Sequence, residues 1–336
     1  MAKRRVEDDL EQLSSLRALG ASETTITALQ KALRDPVNVI VARAAKIGGE
    51  LNIRPLIPDM LVAFDRLFRD PAKSDSQCWG KNALSKALKD LGYAEGGAFL
   101  RGLRHVQMEP VWNGHEDTAV VLRGACALAL VQCTDIPLRE IHTHLVDVLG
   151  DPAARVRVDA AHALAELGTP EAILLLRLKA RTGDKEPSVT GEILGFLLQL
   201  EEDRAVDFVG TFLDSMEEEV REEAALALGA SRFEAAIVHL QKRWRECRKP
   251  ELVEIVIRGL GASRLESAVG LLIDIVRSGR PREALSSLQA LEMHRESLKI
   301  WNNIAEAVDD RREEEIRAYF GEHFSKPQEL LDYPPC

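Results

Sequence analysis

Apolar and small residues recur along most of the chain with the period of an α-helix. In the segment 151–168 they stand at Val156, Ala160, Ala161, Leu164 and Leu167. This spacing places them on one face of a helix, and residues 220–228 repeat it. Sustained alternation of period two is absent, and so are Asn-Gly or Asp-Gly hairpin turns between alternating runs. The pattern therefore predicts an all-α chain.

The chain also contains internal repeats. The tetrapeptide Leu-Gly-Ala-Ser occurs at Leu19–Ser22, Leu228–Ser231 and Leu260–Ser263. The last two copies are 32 residues apart, and acidic-Pro openings step by 35 residues from Asp35 to Asp70 and from Asp151 to Glu186. A period of this length, with helical patterning inside each repeat, is typical of a solenoid of stacked two-helix repeats.

One repeat carries a family resemblance. The segment 151–168, with its Asp-Pro opening, its Val-Arg pair and its adjacent alanines, resembles the HEAT repeat in the variant also found in bilin-lyase-type proteins. The resemblance covers about residues 20–305 and implies an armadillo-type α-α superhelix. It also implies a polar ladder inside the solenoid, in which the Asp of one repeat pairs with the Arg of another. The ladder residues on this basis are Asp151, Arg157, Asp214 and Arg221.

We expect one continuous array over residues 20–305, interrupted by an insert at 104–118. Residues 1–19 and 306–324 are predicted to form an N-terminal and a C-terminal capping helix, because the terminal repeats of a solenoid need a polar outer face. Residues 325–336 contain three prolines and are predicted to be a tail.

The insert at 104–118 has the densest cluster of side chains suited to recognition, and long connections in solenoids often carry function. One repeat earlier, residues 76–82 stand at the start of a helix and include Trp79, where other repeats have ordinary capping residues. Stacked helices lie about 10 Å apart, so we expect the two segments to share a binding site. The candidate binding residues are Cys78, Trp79, Lys81, Asn82, Arg104, His105, Met108, Trp112, Asn113 and His115. An alternative is that Met108 and Trp112 fold back and plug a groove between repeats.

Composition narrows the classes of partner. The 336 residues carry 44 basic and 54 acidic side chains, a net charge of −10, of which residues 1–168 contribute −1 and residues 169–336 contribute −9. Nucleic-acid binding depends on Lys and Arg, so a nucleic-acid partner is disfavoured and a protein with a basic surface is favoured. No run of about 20 apolar residues predicts a membrane span. Five dispersed cysteines without a CxxC pair fit a reducing cytoplasm and give no zinc motif.

No catalytic motif, metal site or cofactor site is apparent. Deoxyhypusine hydroxylases need several His-Glu pairs, and this chain has only His115-Glu116. A DNA glycosylase of HEAT-like fold could use Trp79, Trp112 and Asp117, but the net charge argues against a DNA groove. Cys78, near Lys81, is the only candidate for a reactive thiol.

The resulting expectation is a cytoplasmic, non-catalytic scaffold or adaptor that binds a protein on the concave face of the solenoid. The alternative is a lyase or ligand chaperone similar to bilin lyases, with a small molecule held near Trp79 and Trp112. The sequence leaves the oligomeric state open.

Overall fold

The computed structural model describes residues 6–247 and 249–327. Within these ranges the chain forms 20 α-helices and two short strands, which confirms the prediction of an all-α helical-repeat solenoid. The chain divides into two compact units, an N-terminal unit that ends at Leu176 and a C-terminal unit that begins at Arg177. No helix in the described ranges has both the length and the apolar character needed to cross a bilayer.

The N-terminal unit is built from pairs of antiparallel helices. Its helices are α1 (Val6–Ser15), α2 (Glu23–Leu33), α3 (Asn38–Glu50), α4 (Ile57–Leu67), α5 (Pro71–Ser74), α6 (Trp79–Asp90), α7 (Gly96–Leu103), α8 (Val120–Leu130), α9 (Leu138–Val148) and α10 (Ala154–Leu167). The pairs are α2 with α3, α4 with α6, α7 with α8 and α9 with α10. The second helices of these pairs form a row in which α3 packs on α6, α6 on α8 and α8 on α10, and α1 extends the row before α3.

Capping residues and small side chains explain this arrangement. Ser22 caps α2 by accepting a hydrogen bond from the Thr25 N–H, and Gly168 ends α10 in the left-handed conformation that favours glycine. The paired alanines of the repeats, such as Ala44 and Ala45 in α3, are fully buried and let neighbouring helices approach closely.

The insert contains a β-hairpin, so the expectation that no hairpin turn is present is wrong at this place. Strand β1 (Met108–Val111) pairs with β2 (Gly114–Asp117) in an antiparallel register that matches Met108 with Asp117 and Val111 with Gly114. The two-residue turn is Trp112-Asn113, followed by Gly114 with a φ of 135°. The central residues of this turn are therefore not an Asn-Gly pair, and four-residue strands are too short to show sustained alternation.

The C-terminal unit repeats the same architecture, and α11 (Pro170–Thr182) contains the boundary between the units. Its helices are α12 (Pro187–Glu201), α13 (Asp203–Gly210), α14 (Glu218–Ala230), α15 (Glu234–Glu246), α16 (Pro250–Ala262), α17 (Glu266–Ser278), α18 (Pro281–Leu291), α19 (Leu298–Asp309) and α20 (Glu314–His323). The helices α12, α14, α16, α18 and α20 form the row in which each packs on the next. A Cβ atom at Gly229 would clash with the carbonyl oxygen of Gly259, so α14 and α16 are in backbone contact there.

We expect Gly229→Ala to lower the free energy of unfolding of the C-terminal unit by about 1–3 kcal/mol, because the added methyl group forces α14 away from α16. Chemical denaturation followed by circular dichroism measures the change. Gly270→Ala, in the interior of α17, is the matched control, since no other heavy atom lies within 4 Å of its Cβ position. The control should gain roughly 0.5–1 kcal/mol from helix propensity. Equal effects of the two substitutions would contradict the backbone contact.

Candidate functional site

A groove of about 750 Å³ crosses the row of helices α1, α3, α6 and α8 in the N-terminal unit. We call it the Trp79 groove. It is lined by Leu10, Val39, Ala42, Arg43, Lys46, Gly49, Glu50, Trp79, Asn82, Ala83, Lys86, Ala87, Asp90 and Val121. Several of the residues that line the groove are small. A Cβ atom at Gly49 would lie 3.4 Å from the Cα atom of Ala87, so the backbones of α3 and α6 are close there. The surface between the larger side chains of the two helices is therefore open. Trp79 is 55% exposed, which leaves its indole available at this surface.

An unusual backbone turn places Trp79 at the first position of α6. Gln77 and Cys78 have φ values of 60° and 53°, in the left-handed region that costs energy for residues other than glycine. The carboxylate of Asp75 stabilises this turn by accepting hydrogen bonds from the backbone N–H groups of Gly80 at 2.7 Å and Lys81 at 2.9 Å. The start of α6, and with it the backbone of Trp79, is thereby fixed.

Asp75 also forms a completely buried ion pair. The ammonium group of Lys81 lies 3.1 Å from the Asp75 carboxylate, and both side chains have no exposed surface. Asn38 donates its side-chain N–H to Asp75 at 3.0 Å, and Lys81 donates to the carbonyl oxygen of Leu67 at 3.3 Å. These bonds connect α3, α6 and the end of α4, and they place Lys81 in the core and away from the groove.

A second buried carboxylate joins the hairpin to the turn before α6. Glu109 on β1 accepts hydrogen bonds from Ser76 at 2.8 Å, the Gln77 N–H at 2.7 Å, Gln107 at 2.6 Å and Thr118 at 2.7 Å. Burial alone would raise the pKa of Glu109, but these four donors outweigh it and lower the pKa to about 2. Glu109 is therefore ionised at neutral pH and holds the hairpin against the turn before α6.

The base of the hairpin is also attached through Arg123 of α8, which binds the last residue of β2. Its guanidinium group binds both carboxylate oxygens of Asp151, at 2.8 and 3.1 Å, and one oxygen of Asp117 at 2.7 Å. It also donates to the carbonyl oxygen of His105 at 3.0 Å. Arg123 thus links the hairpin to the turn between α9 and α10.

The predicted ladder residues make two kinds of contact. Asp151 pairs with Arg123, and Asp214 forms an ion pair with Arg243 of α15. The predicted arginines bind backbone carbonyls five and six residues before them. Arg157 donates to Asp151 at 2.8 Å and Pro152 at 3.0 Å, and Arg221 donates to Ser215 at 3.0 Å and Met216 at 3.3 Å. The arginines that pair with the two aspartates, Arg123 and Arg243, were not predicted from the sequence.

The structure does not bring the candidate binding residues into one cavity. Trp79 and Asn82 line the Trp79 groove, whereas Cys78 and Lys81 are fully buried beneath the turn. Burial raises the pKa of the Cys78 thiol to about 11, so it is protonated at neutral pH and is a poor nucleophile. Arg104, directly after α7, is exposed.

The remaining candidates lie in or next to the hairpin. His105 is half-buried, with its ring 4.8 Å from that of Phe68, and burial lowers its pKa. The other candidates, Met108, Trp112, Asn113 and His115, are exposed. Trp112 is 99% exposed at the turn, so the alternative in which it plugs a groove does not hold in this structure.

Several residues of the site were not predicted from the sequence. Asp75 and Glu109 gave no signal, because the donors that surround them are far apart in sequence. Lys86 could have been found, since it lies seven residues after Trp79 and therefore on the same face of α6. Among residues 6–247 and 249–327, no group of three or more His, Cys, Asp or Glu side chains is placed to hold a metal ion.

No family model and no curated protein matches the chain. Among solved structures, human deoxyhypusine hydroxylase is 17% identical, with 88% of this chain and 92% of that chain covered and a TM-score of 0.28. The CpcE–CpcF complex of phycocyanin lyase from Nostoc sp. is 17% identical, with coverages of 84% and 94% and a TM-score of 0.32. A homology model of the AP-3 complex is 10% identical, with coverages of 95% and 72% and a TM-score of 0.44. These similarities carry no argument about function, and the helical-repeat class rests on the packing described above.

We expect Glu109→Gln to destabilise the N-terminal unit by roughly 3 kcal/mol at pH 7, the free-energy equivalent of lowering a carboxyl pKa from 4.5 to about 2. Because the pKa is lower in the folded protein, this stabilisation is complete above about pH 4.5 and is lost as the pH falls towards 2. Denaturant unfolding at a series of pH values measures it. Glu116→Gln, on the exposed strand opposite, is the control and should change stability little. Equal stability of wild type and Glu109→Gln at pH 7 would show that Glu109 does not hold the hairpin in this way.

Proposed function

We propose that this chain is a non-catalytic protein-binding scaffold that takes up a segment of a partner protein in the Trp79 groove. The observation that carries this proposal is the combination of an open, mainly apolar groove with a half-exposed tryptophan at its wall. Tryptophan provides a large contact area at low entropic cost and is enriched among the residues that dominate binding energy. The buried bonds of Asp75 fix the backbone at the start of α6 before binding, which lowers the entropic cost of association.

The polar residues of the groove indicate how a segment would be oriented. The side-chain oxygen of Asn82 is shielded from solvent and has no hydrogen-bond partner among the described residues. It lies one helical turn from Trp79 but is enclosed, so the orientation of a segment depends on the charged residues of the groove. The cations Arg43, Lys46 and Lys86 favour a segment with acidic residues beside its apolar anchor.

The C-terminal unit is acidic, which supports a second contact with a basic surface of the partner protein. A groove of about 400 Å³ between α12 and α14 is lined by Glu192 and Glu223 together with apolar residues. Burial, and then the nearby charges of Glu192 and Glu222, raise the pKa of Glu223. A cationic side chain placed there would relieve this repulsion, so we propose that this unit attracts a basic surface and increases the rate of encounter.

The ligand-chaperone alternative is favoured by one feature, the volume of the Trp79 groove. It lies within the range of about 300–1,000 Å³ that is typical of small-molecule sites. A chromophore or other small molecule that copurifies with the wild-type protein and is lost in Trp79→Ala would support this alternative.

We expect Trp79→Ala to weaken partner binding by about 30-fold or more, the effect of losing a residue that dominates an interface. Quantitative affinity purification from native lysate identifies proteins that wild type retains and Trp79→Ala loses, and titration with the purified partner then gives the Kd. Val62→Ala, at an exposed apolar position of α4, is the control and should bind as wild type does. Unchanged Kd values for Trp79→Ala would refute the groove as the binding site.

We expect the association rate with that partner to fall as ionic strength rises, because salt screens the attraction between opposite charges. The double variant Glu192→Gln/Glu223→Gln should flatten this dependence. Asp203→Asn/Glu234→Gln removes the same charge from α13 and α15 and serves as the control. Stopped-flow association measures both, and an association rate that is insensitive to salt in the wild type would count against steering by the C-terminal unit.

A further inference from the structure

The hairpin presents an apolar tip that nothing in the described part of the chain covers. Trp112 in the turn is 99% exposed, and Val111, directly before it at the end of β1, is 41% exposed. A large apolar side chain held on a preformed element marks an interaction site when it belongs to a patch of such residues. Because Glu109 anchors the hairpin through four hydrogen bonds, little freedom is lost when the tip binds.

The Trp79 groove matches this tip in polarity and in charge. Its lining is mainly apolar, and its cations Arg43, Lys46 and Lys86 outnumber its carboxylates. One of the two carboxylates, Glu50, already accepts a hydrogen bond from Arg17 at 2.7 Å. The groove therefore presents excess positive charge around an apolar surface.

The hairpin carries the opposite charge. Glu116 is exposed on β2 and forms no ion pair within the described residues. A cation from another surface can therefore pair with it. The groove has three such cations, and Lys86 forms no ion pair within the described residues.

The hairpin cannot enter the groove of its own chain without breaking its anchors. Trp112 is not among the residues that line that groove, and the base of the hairpin is fixed on β1 by Glu109 and on β2 by the ion pair between Asp117 and Arg123. A second copy meets no such restriction, because its hairpin approaches as a rigid body.

We propose that the Trp79 groove of one copy receives the hairpin of a second copy, with Trp112 against the apolar lining and Glu116 beside Lys86. This inference deepens the proposed function and rests on it, since it takes the groove to be a protein-docking site. Each copy has one hairpin and one groove, so two reciprocal contacts give a symmetric dimer. A partner segment that binds the groove would then compete with dimerisation.

Sedimentation velocity of the purified full chain over a series of concentrations tests the proposal. We expect reversible dimerisation, and we expect Trp112→Ala and Trp79→Ala each to raise the dimer dissociation constant by about 30-fold or more. Val62→Ala should dimerise as wild type does. Circular dichroism checks that every variant keeps its helicity.

Mixing the two tryptophan variants distinguishes this dimer from any other. Trp112→Ala retains an intact groove and Trp79→Ala retains an intact hairpin tip, so one undamaged contact forms only in the mixed dimer. The mixture should therefore associate more strongly than either variant alone. Glu116→Lys should weaken dimerisation, and Lys86→Glu in the same chain should restore it.

Two results would overturn the proposal. One is a monomer at every concentration that the wild-type protein reaches, and the other is a dimer whose dissociation constant neither tryptophan variant changes. A monomeric wild type that still loses its partner in Trp79→Ala would leave the proposed function intact, with a different protein as the occupant of the groove. If the wild type is monomeric and Trp79→Ala also keeps every partner, the groove is not a docking site.

Discussion

The buried carboxylate of Asp75 determines the geometry of the candidate site. It accepts the first N–H groups of α6, pairs with Lys81 and binds Asn38, and all of these bonds form where no water is available to replace them. An isolated buried charge is costly, so Asp75 and Lys81 depend on each other and on the left-handed turn that brings them together. The position of Trp79 follows from this cluster, as does the turn that supplies two of the four donors to Glu109.

Buried polar contacts also stabilise the hairpin. Two-stranded hairpins are marginally stable alone, and this one has strands of only four residues. Its stability comes from two anchors at its base, Glu109 on β1 and the ion pair of Asp117 on β2 with Arg123. The N-terminal unit therefore presents a rigid tip and an open groove on one body.

The helical period and the repeated small residues were sufficient to predict the fold, because the face that each helix buries is encoded within the helix itself. The Ala44-Ala45 pair is an example, since its burial follows from spacing alone. Lys81 shows the limit of this reasoning. A lysine at the start of a helix is normally exposed, and only the arrangement of α3, α4 and α6 shows that it is enclosed. The hairpin was missed because its turn, Trp112-Asn113, is not one of the sequences that favour two-residue turns, and its strands have only four residues each.

The contacts of the arginines differ in a way that bears on how such a chain can grow. Arg157 and Arg221, 64 residues apart, bind carbonyl groups in the turn just before their own helix. Arg66 and Arg311 instead reach back more than 30 residues, to carbonyl groups at the end of an earlier helix. When a segment is duplicated, an arginine that binds carbonyl groups within the segment keeps its partners in the copy. An arginine that binds an earlier helix has to find new partners in the repeat that precedes the copy. Arginines that bind within their own segment therefore allow the array to lengthen by duplication without any matching change in its neighbours.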